Sequence, residues 1–142
     1  KPMINKLTIL LIEDDDVAAE SAMRSLKKMA PKVTTVWVQN GQLAIDLLED
    51  PDRSTRLPEP YLVLLDLNMP VMNGFEFLER IRNDTMLKDT IIFILTTSNE
   101  DHDRARAYHN NVAGYMVKHA IGPQFAKLAK LMEAYMNAVE AK

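Results

Sequence analysis

The stretch Tyr61 to Gly74, YLVLLDLNMPVMNG, most constrains what this chain can fold into. It opens with five apolar residues and then places one carboxylate, Asp66, where the apolar run ends. Five apolar residues bounded by turn formers are typical of a strand buried on both faces. Because ligands of open α/β sheets bind at the carboxyl ends of the strands, the sequence predicts that Asp66 lies where the chemistry takes place.

Short apolar runs and helical patterns alternate along the whole chain. The predicted strands are Leu7–Ile12, Val33–Val38, Tyr61–Leu65, Ile91–Leu95 and Ala113–Val117. The predicted helices are Val17–Ala30, Gln42–Glu49, Phe75–Asn83, Glu100–His109 and a last helix that Gly122 and Pro123 open. This alternation predicts an α/β fold with a parallel sheet covered by helices on both faces. We expect one domain over residues 1–142 and no output domain, because the last helix runs nearly to the end of the sequence.

The spacing of apolar residues predicts which side of each helix faces the core. In the first helix these positions are Val17, Met23, Leu26 and Met29 or Ala30, and in the second they are Leu43, Ile45, Leu47 and Leu48. In the third they are Phe75, Leu78, Ile81 and Arg82, and in the last they are Phe125, Leu128, Met132, Tyr135 and Val139. The polar segment Asp50–Pro60 carries three prolines and is predicted to be an exposed loop.

Composition narrows the class of protein. The net charge of −3 gives no reason to expect a nucleic-acid partner, and no apolar run is long enough to cross a membrane. The chain has no cysteine, which excludes disulfides and thiolate metal sites and fits a reducing compartment. We therefore expect a cytoplasmic protein that binds neither nucleic acid nor membrane.

Four predicted strands end in polar groups of different kinds: Glu13 and Asp14 after the first, Asp66 after the third, Thr96 after the fourth and Lys118 after the fifth. Taken singly, each has an ordinary structural explanation. Glu13 and Asp14 fit the start of a helix, Thr96 fits a turn, and Lys118 fits a surface charge. Parallel strands, however, bring their carboxyl ends to one edge, where clustered carboxylates favour a cation. Carboxylates suit Mg²⁺, and a hydroxyl and an ammonium suit phosphate oxygens. The joint pattern predicts a phosphoryl-transfer site.

At this point the sequence resembles the receiver domain of two-component response regulators over essentially its whole length. The segments ILLIEDDD, LLDLNMPVMNG, ILTTS and GYMVK resemble the acidic strand end, the phosphoacceptor loop, the switch-hydroxyl strand and the lysine strand of that family. The spacing agrees, since Asp66 and Thr96 are 30 positions apart and Thr96 and Lys118 are 22. The resemblance implies a flavodoxin-like, doubly wound sheet of five parallel strands in the order 2-1-3-4-5.

The resemblance also implies the roles of the site residues. Asp66 is the implied phosphoacceptor, and Asp14 and Asp66 are implied direct ligands of Mg²⁺. Glu13 is expected to help through water, and the backbone carbonyl of Asn68 is expected to be a further ligand.

Three more residues receive roles from the resemblance. Lys118 is expected to pair with the phosphoryl group, and Thr96 is expected to move toward it as the switch hydroxyl. Tyr115 matches the aromatic residue that changes rotamer together with that hydroxyl.

The resemblance implies a sensor histidine kinase as the partner. Two segments also resemble small stand-alone regulators, some of which partner phytochrome-type kinases. One is LTTS, which precedes a charged helix ending in AY, and the other is the long proline-bearing loop before the third strand. The helix Glu100–His109, the fifth strand and the last helix are then the expected surface for a homodimer or a downstream protein.

Lys118–His119 departs from the family, which usually has Lys-Pro with a cis bond at this point. A cis bond before a non-proline residue costs about 2.5–4 kcal/mol, so the sequence leaves this peptide open between cis and trans. It also leaves open a receiver-like adaptor that works without phosphorylation. A Mg²⁺-dependent phosphohydrolase is a further alternative, but such enzymes commonly have aspartate where this chain has Asn68.

Overall fold

Five parallel strands form one sheet in the computed structural model, which describes residues 7–118 together with residues 127, 128, 130, 131 and 134. The strands are β1 (Thr8–Ile12), β2 (Thr34–Val38), β3 (Tyr61–Leu65), β4 (Ile92–Thr96) and β5 (Gly114–Val117). Their order across the sheet is β2-β1-β3-β4-β5. Because each strand is parallel to its neighbours, all five carboxyl ends lie along one edge. The predicted fold and strand order are confirmed.

Helices connect the strands, and the first three begin where a side chain caps the first turn. They are α1 (Asp16–Met29), α2 (Gly41–Glu49), α3 (Gly74–Arg82) and α4 (Asp101–His109). Asp15 caps α1, Asn40 caps α2 and Asn73 caps α3, each by accepting a hydrogen bond from a backbone N–H of the first turn. None of the helices in the described part of the chain is long and apolar enough to cross a membrane.

The last helix is only partly described. Residues 127, 128, 130, 131 and 134 are helical, and Leu128 is buried as predicted. The other predicted core positions of this helix, Phe125, Met132, Tyr135 and Val139, lie outside the described residues, as do Gly122 and Pro123. The Lys118–His119 peptide also lies outside them, because His119 does.

The sheet separates two apolar clusters. One contains Ile12 and side chains of α2, α3 and α4, such as Ile45, Phe77 and Ala107. The other contains Ile9 and Leu11 of β1, side chains of α1 and Leu128. Because successive strand residues point to opposite faces, β1 supplies both clusters and is buried along its whole length. Helices therefore cover both faces of the sheet, as the alternation of elements predicts.

The predicted core face of α1 was partly wrong. Val17 is 75% exposed and Met29 is 40% exposed, whereas Ala19, Ala22 and Leu26 are buried. Two alanines and Leu26 form the buried side of this helix, and Val17 lies about 200° around the helix from Ala19. Long apolar side chains therefore do not mark the buried side of this helix.

The prediction for α2 was wrong at Leu43, which is 44% exposed. The buried residues of α2 are Gly41, Ala44, Ile45 and Leu48, which follow helical spacing from the first residue of the helix. Leu47 is half-buried at the border of this stripe. In the loop Asp50–Pro60, which is otherwise exposed or half-buried, Leu57 is buried against the same cluster.

Arg82 ends α3 as a polar clamp instead of an apolar core residue. Its guanidinium donates hydrogen bonds to four backbone carbonyls, those of Lys88 (2.8 Å), Thr90 (2.9 Å), Asn110 (2.7 Å) and Asn111 (3.1 Å). These carbonyls belong to the segments that precede β4 and β5. One side chain thus holds two loops to the end of α3, a contact that helical periodicity does not reveal.

We expect Arg82→Lys to lower the free energy of unfolding by about 1–3 kcal/mol, because an ammonium cannot reach four carbonyls in a planar fork. Chemical denaturation measures this change. Arg24→Lys is the control, because Arg24 lies on α1 with its side chain 76% exposed and is expected to leave stability unchanged. Equal stability of the Arg82→Lys variant and the parent protein would contradict the clamp.

Candidate functional site

The predicted site residues lie along the edge where the parallel strands end. Glu13 follows β1 and Asp66 follows β3, and the register pairs the preceding residues, Ile12 and Leu65, directly. Thr96 is the last residue of β4, one position later than predicted, and Lys118 follows β5. The topology therefore gathers side chains that are far apart in the sequence.

Three carboxylates form a cluster at this edge. Glu13, Asp14 and Asp66 each place one oxygen within 4.8 Å of the others. Glu13 and Asp66 are buried, whereas Asp14 is exposed. Three carboxylates this close repel one another unless a cation balances them, and oxygen ligands of this kind fit Mg²⁺. The donor set present here thus suits a hard divalent cation.

Lys118 supplies a positive charge to the same cluster. Its Nζ lies 2.5 Å from Oε1 of Glu13 and 3.6 Å from Oδ2 of Asp66. Burial lowers the pKa of Lys118, but the hydrogen bond to Glu13 and the charge of Asp66 outweigh it and leave the pKa raised. Lys118 is therefore a fixed cation beside the predicted phosphoacceptor.

Burial has the larger effect on Glu13, whose pKa it raises to about 7. The hydrogen bond from Lys118 acts in the opposite direction, and the neighbouring charge of Asp66 raises the pKa further. Both side-chain oxygens of Glu13 are engaged, since Oε1 meets Lys118 and Oε2 accepts the N–H of Asp15 at 3.1 Å.

Trp37 of β2 holds the backbone of Glu13 in place, and the sequence did not predict this role. Its indole Nε1 donates a hydrogen bond to the backbone carbonyl of Glu13 at 2.7 Å. The two residues are 24 positions apart in the sequence, so no local sequence pattern predicts the contact. The segment that carries the acidic residues is thus tied to the edge strand of the sheet.

The loop after β3 is shaped by close backbone contacts. The N–H of Asn68 donates to Oδ1 of Asp66 at 3.3 Å, so the loop folds back on the aspartate. The side chain of Asn68 is exposed. A Cβ atom at Gly74 would lie 2.6 Å from the carbonyl oxygen of Asp66 and 2.6 Å from Cα of Leu67. Only glycine permits this approach, which places the start of α3 against the backbone of the predicted phosphoacceptor.

Tyr115 reaches the loop that follows Thr96. Thr96 is fully buried, and its Oγ1 accepts a long hydrogen bond of 3.4 Å from the N–H of Ser98. The hydroxyl of Tyr115 donates to the backbone carbonyl of Ser98 at 3.0 Å. Thr96 and Tyr115 therefore contact the same residue, one through its amide and the other through its carbonyl.

Comparison with known proteins agrees with this geometry. The family model of the response regulator receiver domain matches residues 9–130. The nitrate/nitrite response regulator protein NarL of Escherichia coli is 38% identical over 112 residues, which are 78% of this chain. The chain spans about half the length of NarL, 47%. Response regulator Rcp1 of Synechocystis sp. is 28% identical over 127 residues, which are 89% of this chain and 86% of Rcp1.

Two solved structures are similar over most of their length. The Mn²⁺-bound form of response regulator Rcp1 has a TM-score of 0.73 at 28% identity and covers 90% of this chain and 92% of its own. The phosphorylated cyanobacterial phytochrome response regulator RcpA has a TM-score of 0.74 at 29% identity and covers 91% and 92%. The chain belongs to the response regulator receiver family of two-component signalling.

Proposed function

We propose that Asp66 accepts a phosphoryl group from a sensor histidine kinase in a Mg²⁺-dependent reaction. The bond from phosphorus to the histidine nitrogen of the kinase breaks, and a bond from phosphorus to an oxygen of Asp66 forms. The observation that carries the proposal is the position of Lys118, whose ammonium lies between a buried glutamate and the buried Asp66. A fixed cation at this point meets the charge that the incoming phosphoryl oxygens bring.

The neighbouring carboxylates fit the metal that the reaction needs. We assign Asp14 and Asp66 as direct ligands, Glu13 as a ligand through water and the backbone carbonyl of Asn68 as a further ligand. When bound, Mg²⁺ supplies positive charge that offsets the carboxylates and the phosphoryl oxygens. The Mn²⁺-bound structure of the similar Rcp1 supports a divalent cation in this class of site.

The remaining residues orient the phosphoryl group and pass the signal on. Lys118 is proposed to pair with a phosphoryl oxygen, and Thr96 is proposed to donate its hydroxyl to another. Movement of Thr96 is then transmitted through Ser98 and Tyr115 to the surface of α4, β5 and the last helix. This surface is the proposed contact for a homodimer or a downstream protein.

The kinase is proposed to be of the phytochrome type, because RcpA is a cyanobacterial phytochrome response regulator. The single-domain organisation over residues 1–142 and the cytoplasmic location remain our predictions, and the absence of cysteine fits a reducing compartment.

Incubation with Mg²⁺ and acetyl phosphate tests the proposal by intact-protein mass. We expect one added phosphoryl group, which is lost in Asp66→Asn and retained in Asp46→Asn, an exposed aspartate of α2. No adduct on the parent protein would instead support the adaptor that works without phosphorylation. Phosphate release over many turnovers would support a phosphohydrolase.

Trp37 offers a direct measurement of metal binding. It is the only tryptophan of the chain, and its indole donates to the carbonyl of Glu13 beside the metal ligands. We expect Mg²⁺ to change its fluorescence, and Asp14→Asn to weaken the affinity by about tenfold or more. Asp16→Asn is the control, since Asp16 is also exposed and starts α1. The same dissociation constant for Asp14→Asn and the parent would exclude Asp14 as a ligand.

Gly74→Ala tests the close contact behind Asp66. Alanine is favoured over glycine in a helix by about 1 kcal/mol, but here its Cβ overlaps backbone atoms of Asp66 and Leu67. We expect the free energy of unfolding to fall by about 1–3 kcal/mol. Displacement of Asp66 should slow phosphorylation by acetyl phosphate by about tenfold or more. Denaturation and the mass assay measure the two effects, and a more stable variant would disprove the overlap.

A further inference from the structure

Helix α4 is attached to the rest of the protein mainly by polar side chains. Ala107 is its only buried residue, so apolar packing fixes its position weakly. Its N-cap residue, Glu100, makes no side-chain capping hydrogen bond. The position of α4 therefore depends on a small number of side-chain contacts, most of them at its first turns.

Two of these contacts join α4 to the loop after Thr96. Asp103 accepts a hydrogen bond of 2.6 Å from the hydroxyl of Ser98. Arg104 donates a hydrogen bond of 3.0 Å to Oδ1 of Asn99. These two hydrogen bonds thus join the first turns of α4 to this loop.

Arg104 makes a second contact, with Tyr115 of β5. Its guanidinium carbon lies 4.5 Å from the centroid of the Tyr115 ring, which is the geometry of a cation–π interaction. Arg104 is half-buried and forms no ion pair with any carboxylate in the described ranges. Tyr115 as a whole residue is only 7% exposed, and its hydroxyl donates a hydrogen bond to the carbonyl of Ser98.

The chain also contains a matched arginine on the same helix. The guanidinium carbon of Arg106 lies 4.1 Å from the ring centroid of Phe75, and its Nη2 lies 3.1 Å from Oε2 of Glu79. These partners belong to α3 and are not connected to Ser98 or Tyr115 by any contact described above. Arg106 therefore repeats the cation–π contact of Arg104 away from Ser98 and Tyr115, and differs from it by also pairing with a carboxylate.

We propose that Arg104 is a positioning residue that holds the Tyr115 ring in its buried position and so couples α4 to the loop after Thr96. While the guanidinium lies over the ring, the hydroxyl of Tyr115 keeps its hydrogen bond to the carbonyl of Ser98. The amide of Ser98 in turn donates a hydrogen bond to the hydroxyl of Thr96. Without Arg104 the ring is free to leave, and of the two side-chain hydrogen bonds described between this loop and α4 only that of Ser98 with Asp103 remains. The signalling role of this contact rests on the proposed phosphorylation of Asp66, but the contact exists without it.

The contact is tested first in the unphosphorylated protein labelled with fluorotyrosine. The chain has four tyrosines, and Tyr115→Phe identifies the fluorine resonance of Tyr115. The difference in its chemical shift between H₂O and D₂O reports the exposure of the ring. We expect Arg104→Gln to increase this difference by about twofold or more, and Arg104→Lys, which keeps a cation over the ring, to increase it less. Arg106→Gln should match the parent protein.

Three results would overturn the proposal. The Tyr115 resonance could be as protected in Arg104→Gln as in the parent. Arg106→Gln could expose the ring equally, which would indicate general loosening of α4. Arg104→Lys could expose it as much as Arg104→Gln, which would show that the cation does not hold the ring.

The signalling role is tested by adding acetyl phosphate and Mg²⁺. Phosphorylation should shift the Tyr115 resonance of the parent protein, and this shift should fall by about half or more in the phosphorylated Arg104→Gln variant. An equal shift in both proteins would refute the coupling. If the parent acquires no phosphoryl group on Asp66, the proposed function fails, while the H₂O and D₂O comparison still decides whether Arg104 positions Tyr115.

Discussion

The ion pair of Lys118 with two buried carboxylates is the interaction around which the site is arranged. A parallel sheet brings Glu13 and Asp66 side by side at the ends of β1 and β3, where both are removed from water. Burial penalises the charge of Glu13 and raises its pKa. The ammonium after β5 compensates for part of this cost. It also links a strand at one side of the sheet to the two central strands.

The backbone around the acidic cluster is held by contacts that are separate from those of the charged groups. The indole of Trp37 fixes the carbonyl of Glu13, and the missing side chain of Gly74 lets α3 begin against the backbone of Asp66. These contacts come from two different elements, β2 and α3, and involve no titratable group. They set the positions of the carboxylates, and the charges then decide what those carboxylates can bind.

The alternation of strands and helices, and the polar residues that end the strands, were predicted because both are local signals, whereas the strand order came from the resemblance to receiver domains. A buried strand is visible as an apolar run, and the polar residue that ends it is visible beside it, as with Leu65 and Asp66. The buried sides of α1 and α2 were less predictable, since alanine and glycine pack against the sheet where long side chains such as Val17 and Leu43 do not. Trp37, Arg82 and Arg104 act through contacts between distant segments, and no spacing rule reveals them.

The clamp made by Arg82 has a mechanical consequence for the protein. Its four hydrogen bonds hold the segments before β4 and β5, and one of them goes to Asn110, which directly follows α4. The end of α4 that lies far from Thr96 is therefore attached through backbone carbonyls, whereas its first turn is attached through the side chains of Ser98 and Asn99 in the loop after β4. Under the proposed phosphorylation of Asp66, a helix attached in this way would pivot about its last turn, and its first turn would move the most.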